Sequence, residues 1–183
     1  MTVQKIIKGC IKNDATYQRL LVVNYSPMLL TVSRRYTPIS ADAEDVLQDA
    51  FIKIFGAIRQ FDSNKGKLET WMRTIVINTA LKRLNKKCFT HERSVEQFED
   101  IQMHPSVYDQ LQAEDIMTLI KTLPDGYRQV FNLAVVEGYS HKEIGALLDI
   151  GESTSRSNLS KAKKRLRIKL SHQKNQESWA QIG

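Results

Sequence analysis

The sequence predicts an all-α chain of two small helical domains joined by an acidic flexible linker, the C-terminal domain being a helix-turn-helix. Three observations carry this expectation. Apolar residues recur at intervals of three and four rather than two. No Asn-Gly or Asp-Gly pair lies between alternating apolar runs; Asp125-Gly126 follows Pro124 and opens a helical pattern. The charge changes sign twice: residues 1–87 hold 15 Lys/Arg against 7 Asp/Glu, residues 88–115 hold 1 against 7, and residues 116–183 hold 11 against 6. The expected divisions are therefore an N-terminal domain over 1–87, a linker over 88–110, a C-terminal domain over 111–172 and a polar tail over 173–183.

The first helix is expected from about Ala15 to Arg35. The second runs from about Ala41 to Phe61, with Val46, Leu47, Ala50, Phe51, Ile54, Ile58 and Phe61 on one apolar stripe. Asp42, Asp45 and Asp49 recur on another face, with Glu44 and Gln48 beside them. A turn-forming loop, Asp62 to Lys67, follows, with Gly66 free to take positive φ. The third helix runs from about Glu69 to Lys87. Trp71, Met72, Ile75, Val76, Ala80 and Leu84 mark its buried side, and a core position suits Trp71 better than a stacking one. Arg73, Asn78, Lys82, Arg83, Lys86 and Lys87 keep it polar and basic elsewhere.

In the linker no helical stripe persists, and Pro105 biases His104 away from helix. Beyond it, Pro124 suits a helix start and Gly138 a stop, so a helix should reach about Val136. Ser140-His-Lys-Glu143 has the spacing of a capping box. A short helix to Leu148, a turn at Asp149-Ile-Gly151 and a long helix to about Leu170 complete the pattern. Ile144, Leu147, Leu148 and Ile150 should fill the angle between the last two helices, and Leu159, Ala162, Leu166 and Leu170 should form the buried side of the second.

The exposed side of that last helix is basic. Residues 153–170 include Arg156, Lys161, Lys163, Lys164, Arg165, Arg167 and Lys169 and no acidic residue. A short capped helix, a tight turn and a basic helix together fit DNA binding. Ser153, Thr154, Arg156, Ser157, Asn158 and Lys161 open the helix with side chains suited to the major groove, and Lys164 follows where phosphates are reached.

The bulk properties agree with a polyanionic partner. The chain has 183 residues and a formal net charge of +7. Cys10 and Cys88 are its two cysteines, which is no disulfide framework. No signal-peptide pattern opens the sequence and no apolar run approaches bilayer length, so the expectation is a cytoplasmic protein without membrane insertion. No catalytic centre, cofactor or metal is expected. There is no glycine-rich phosphate loop and no Gly-x-Ser-x-Gly elbow. Cys88 with His91 makes only two potential ligands, and His104, His141 and His172 lack metal spacing. A stand-alone helix-turn-helix regulator is the alternative, but it leaves the N-terminal helices without a task.

Two sets of motifs resemble one family. Leu123-Pro-Asp-Gly-Tyr-Arg-Gln-Val-Phe131, Glu137-Gly-Tyr-Ser-His-Lys-Glu-Ile144, Ser153-Thr-Ser-Arg-Ser157 and Lys161-Ala-Lys-Lys-Arg-Leu166 are similar to region four of bacterial RNA polymerase sigma factors of the extracytoplasmic-function (ECF) class. Ala43-Glu-Asp-Val-Leu-Gln-Asp-Ala-Phe51, Phe61-Asp62, Thr70-Trp71 and Ile77-Asn-Thr-Ala80 resemble that class's region two. The resemblance implies promoter recognition with core RNA polymerase as partner, through the coiled coil of its largest subunit and its flap, and an anti-sigma factor as a further partner. It implies that Asp42, Glu44, Asp45, Gln48 and Asp49 dock on the polymerase. It implies that Asn64, Lys65 and Lys67 of the loop, with Asn78, Arg83 and Lys86 of the third helix, melt and hold the −10 element, Asn78 contacting a flipped base; Lys82 joins them on its charge alone. The last helix would read the −35 element. The chain departs from many members at Lys82, Asp149, Ser155 and Asn158, where Asp, Gly, an apolar residue and Arg are common.

Overall fold

A computed structural model describes residues 2–37, 40–88 and 113–180; at residues 40, 85–88, 113–116 and 172–180 it describes the helical backbone. Every regular element among the described residues is helical. The chain divides into two compact units, Met1–Glu92 and Arg93–Gly183. The acidic segment 89–112, with His91 and His104, lies outside the described residues, as do residues 181–183 of the tail.

The first unit holds α1 (Val3–Ile11), α2 (Ala15–Tyr36), α3 (Ser40–Ala57), a 3₁₀ turn (Ile58–Gln60) and α4 (Leu68–Cys88). Helices α2, α3 and α4 pack on one another, and α1 lies against α2 and the 3₁₀ turn. Their common core is made by Leu21, Leu29, Val32 and Tyr36 from α2, Ala43, Val46, Ala50 and Ile54 from α3, and Met72, Val76, Ile77, Ala80 and Leu81 from α4. Truncating one of these larger side chains to Ala would cost about 2–5 kcal/mol.

Several sequence expectations are refined here. Helix α1 is an addition. Ile6 and Cys10, one turn apart, are buried, and a Cβ on Gly9 would collide with the Tyr17 ring. Asn13 then takes a left-handed conformation at φ 58°, and the Asp14 carboxylate caps α2 by accepting from Thr16 N–H at 2.9 Å. The apolar stripe of α3 is buried as expected from Val46 to Ile58, whereas Phe61 is half-buried. Trp71 is half-buried too and is tilted against Phe61, with ring centroids 5.6 Å apart. These two aromatics close the edge of the core rather than its centre.

The second unit holds α5 (Ala113–Lys121), α6 (Asp125–Phe131), a π-helical segment (Asn132–Val136), α7 (His141–Leu148) and α8 (Glu152–Ala180). Leu119, Ile120, Leu123, Ala162, Leu166 and Leu170 form its core cluster, with Met117, Tyr127 and Phe131 packed around it. Arg128 is buried at the α5–α6 junction. Its guanidinium donates to the Leu123 carbonyl at 3.1 Å and pairs with Asp125 at 2.5 Å, so the buried charge is matched. The helix expected to reach Val136 does so, but through the π-helical turn, and Gly138 at φ 78° ends the segment. Helix α8 continues beyond the expected end at Leu170, so the backbone of residues 171–180, including most of the expected tail, is helical.

Candidate nucleic-acid interface

The start of α8 is held by three local devices. The first is the capping box. Ser140 Oγ accepts from Glu143 N–H at 3.3 Å, and Glu143 Oε2 accepts from Ser140 N–H at 2.8 Å. The Ser140 hydroxyl and backbone N–H together hold the Glu143 carboxyl below its ordinary range. The second device is the turn. Asp149 takes the left-handed conformation at φ 55° and ψ 49°, which a short polar side chain tolerates better than a bulky one. Ile150 N–H donates to the Gly145 carbonyl at 3.0 Å, and a Cβ on Gly145 would lie 2.8 Å from the Ile150 carbonyl oxygen. The turn therefore folds back against α7 at a point where any larger residue would push it away.

The third device was not legible as such in the sequence. Ser155, fully buried on α8, lies 2.9 Å from His141 Nδ1 at the start of α7. The hydroxyl stands on the inward face of α8, and the imidazole satisfies it. A buried polar group with a partner costs little, and without one it costs about 1–3 kcal/mol. The sequence signal was the departure at Ser155 paired with a His at the first position after a capping serine.

With this side of α8 turned inward, Ser153, Thr154, Arg156, Ser157 and Lys161 are exposed, while Asn158 and Lys164 are half-buried. Lys163 and Arg167 are exposed as well. Arg165 lies over the Tyr127 ring at 5.2 Å from its centroid, and Lys169 donates to Thr122 at 2.6 Å, so these two cations brace the unit. Helix α8 begins one residue earlier than the basic run suggested, at Glu152, whose carboxylate pairs with Arg156. That pairing, followed by the charges of His141 and Lys142, lowers the Glu152 carboxyl.

In the first unit, Asp62 Oδ1 accepts from Asn64 N–H at 2.9 Å and shapes the loop. Asn64, Lys65 and Lys67 are exposed beyond it, and Gly66 takes φ 156°. On α4, Lys82 is exposed, Asn78 and Arg83 are half-buried, and the side chain of Lys86 lies outside the described residues. On α3, Glu44, Asp45, Gln48 and Asp49 are exposed and Asp42 is half-buried. Two of the expected sets meet. Arg83 pairs with Asp45 at 2.7 Å and with Asp49 at 3.4 Å, and Lys53 donates to Thr79 at 3.0 Å one turn along the same seam.

The comparisons with known proteins follow this division. The model of Sigma-70 region 2 matches residues 21–89, and that of Sigma-70, region 4 matches residues 113–166. The ECF RNA polymerase sigma-E factor of Escherichia coli (strain K12) is 27% identical over 176 residues, covering 89% of this chain and 91% of that protein. The ECF RNA polymerase sigma factor SigW of Bacillus subtilis (strain 168) is 29% identical over 183 residues, covering 93% of this chain and 97% of the other. The chain belongs to the ECF group of the sigma-70 family. The sigma factor also shares its fold with RpoE from Bartonella quintana, solved in complex with the anti-sigma factor NepR. That match has a TM-score of 0.53 at 21% identity and covers 84% of this chain and 96% of the other. Within this sigma factor, α2 from Leu21 onward, α3 and α4 lie in the region 2 match, and α5, α6, α7 and the start of α8 lie in the region 4 match. None of the described helices is long and apolar enough to cross a membrane.

Proposed function

We propose that this sigma factor binds core RNA polymerase and directs it to recognise, melt and initiate at promoters. The observation that carries the reading is the presence, in one chain and in order, of a region 2 match and a region 4 match, the second containing a capped helix-turn-helix with a basic face. A regulator that only gripped duplex DNA would need the second unit alone.

The roles divide by chemistry. Ser153, Thr154, Arg156, Ser157 and Asn158 sit in the first turns of α8, where a recognition helix meets base edges, and Lys161 and Lys164 lie further along, towards phosphates. Asn64, Lys65 and Lys67 with Asn78, Lys82, Arg83 and Lys86 supply amides and cations for an opened −10 element. Taking a base out of the stack costs roughly a few kcal/mol, which such contacts must offset. Asp42, Glu44, Asp45 and Asp49, with the Gln48 amide among them, offer a carboxylate row to a basic coiled coil of the polymerase's largest subunit, and the second unit would meet the flap. The domain limits follow the same reading: 1–87 for core and −10 binding, 88–110 as linker, 111–172 for −35 binding and 173–183 as tail. An anti-sigma factor is a further partner. The chain contributes no catalysis of its own, and its place of work is the cytoplasm.

Two assays test this. The chain should co-purify with core polymerase in a stoichiometric complex. That complex, and neither component alone, should make thymines of a cognate promoter reactive to permanganate around the start site. A chain that shifts duplex DNA yet never associates with core polymerase would fit the regulator instead.

A further inference from the structure

The basic face of α8 opens with a carboxylate. Glu152 and Arg156 are one helical turn apart and are ion-paired, with side chains 46% and 64% exposed. An exposed pair of this kind contributes little to stability. A bare carboxylate beside DNA phosphates would also oppose binding. Neither consequence accounts for a pair at the position where a recognition helix meets base edges, so its effect on Arg156 itself matters more.

Arg156 has a long side chain with many rotamers, and reading a guanine requires its planar fork in one orientation. Guanine O6 and N7 are the commonest targets of an Arg in the major groove. Glu152 engages Nη2 of Arg156, and the guanidinium carries further donors beyond those spent on the carboxylate. The surroundings also favour the charged carboxylate. His141 and Lys142 at the start of α7 add positive charge around it, and it lies in the first turn of α8, where the helix dipole favours an anion.

We propose that Glu152 is a positioning residue for promoter reading: it holds the Arg156 guanidinium at the first turn of α8 so that the remaining donors are presented to a guanine of the upstream promoter element. This rests on the reading of α8 as the promoter-reading helix. A side chain fixed before binding loses less freedom on binding, so the gain falls on the correct base. On a wrong base the same fixed fork meets no matching acceptors and cannot readily turn away. Glu152 thus acts on discrimination more than on affinity.

The test uses the full chain assembled with core polymerase and a pool of promoters randomised across the upstream element, with bound sequences counted. Arg156→Ala should reduce preference at one position by on the order of ten- to a hundredfold. Glu152→Gln should reduce preference at that same position by roughly two- to fivefold, the range an exposed ion pair can supply, with thermal melting near wild type. Glu152→Asp, whose charge is retained on a shorter side chain, should fall between. In an Arg156→Ala background, Glu152→Gln should change nothing further. If Glu152→Gln instead tightens binding on all sequences alike with the preference intact, Glu152 only repels phosphates and the inference is wrong. If Glu152→Gln relaxes the preference equally without Arg156, the carboxylate reads a base by itself, and the inference is again wrong. If Arg156→Ala leaves the profile unchanged, both this inference and the base-reading assignment of Arg156 fail.

Discussion

Arg83 on α4 reaches across to Asp45 on α3, its Nη2 lying 2.7 Å from Asp45 Oδ2 while Nη1 lies 3.4 Å from Asp49 Oδ2. The residues proposed to dock on polymerase and a residue proposed to hold −10 phosphates are thus joined in one charge cluster. Arg83 is 33% exposed and both carboxylates are 54% exposed, so the cluster contributes about 1 kcal/mol or less to the fold. Replacing Asp45 and Asp49 together by Lys should weaken core binding on the order of tenfold or more, measured by titration of labelled polymerase. Arg83→Ala serves as the control for the lost internal pairs and should leave core binding within about twofold of wild type. Equal losses for the two variants would mean that the carboxylates act by holding Arg83 rather than by meeting polymerase.

Phosphate contacts should separate from base contacts along α8. Lys163 is exposed on the basic face. Lys163→Ala should weaken promoter binding by a similar factor on every sequence and reduce the slope of log K against log salt by about one. A changed base preference in the Lys163→Ala profile would contradict a phosphate role.

The capping box makes one part of stability depend on pH. Ser140 lowers the Glu143 carboxyl in the folded chain, so Glu143 stays charged there to a lower pH than when unfolded. Its contribution is full above the ordinary carboxyl value of 4.5 and is lost as pH falls through the lowered folded value. Melting curves of wild type and Glu143→Ala should therefore converge as pH drops below 4.5. A constant difference across that range would exclude the ionised carboxylate as the capping group. Ser140→Ala should cost about 1 kcal/mol at neutral pH.

Asn78 tests the opening of DNA. It is half-buried on α4, one turn before the exposed Lys82. Its amide offers a donor and an acceptor to the edge of an unstacked base. Asn78→Ala should leave melting temperature and core binding near wild type. It should slow open-complex formation on duplex promoter by about tenfold and have less effect on a template already mismatched across the −10 element. Equal defects on both templates, or an unfolded first unit, would remove Asn78 from melting.

The sequence carried much of the fold because apolar spacing and caps act locally. The stripe from Val46 to Ile58, the Ser140–Glu143 box and the Asp149 turn are each written within a few residues. Relationships between distant residues were less visible. Nothing local announces that Arg83 meets Asp45, or that His141 satisfies the buried Ser155. Helix α1 escaped although Val3, Ile6, Ile7, Cys10 and Ile11 recur at intervals of three and four, because its nine residues give the stripe little more than two turns in which to show. Glu152 was passed over because the basic run begins after it, yet the helix begins at it. The continuation of α8 past Leu170 has no apolar stripe to announce it, since its residues there are almost all polar.

The central claim, that this chain directs polymerase to promoters, is met most directly by run-off transcription reconstituted from purified core polymerase, the full chain and genomic promoter fragments. Transcripts of defined length are expected from a small set of fragments, dependent on the chain and abolished when the Arg156→Ala and Asn78→Ala substitutions are combined. Tight, sequence-specific binding of the chain alone to duplex DNA, with no defined transcript from any fragment when cognate core polymerase is present, would contradict it.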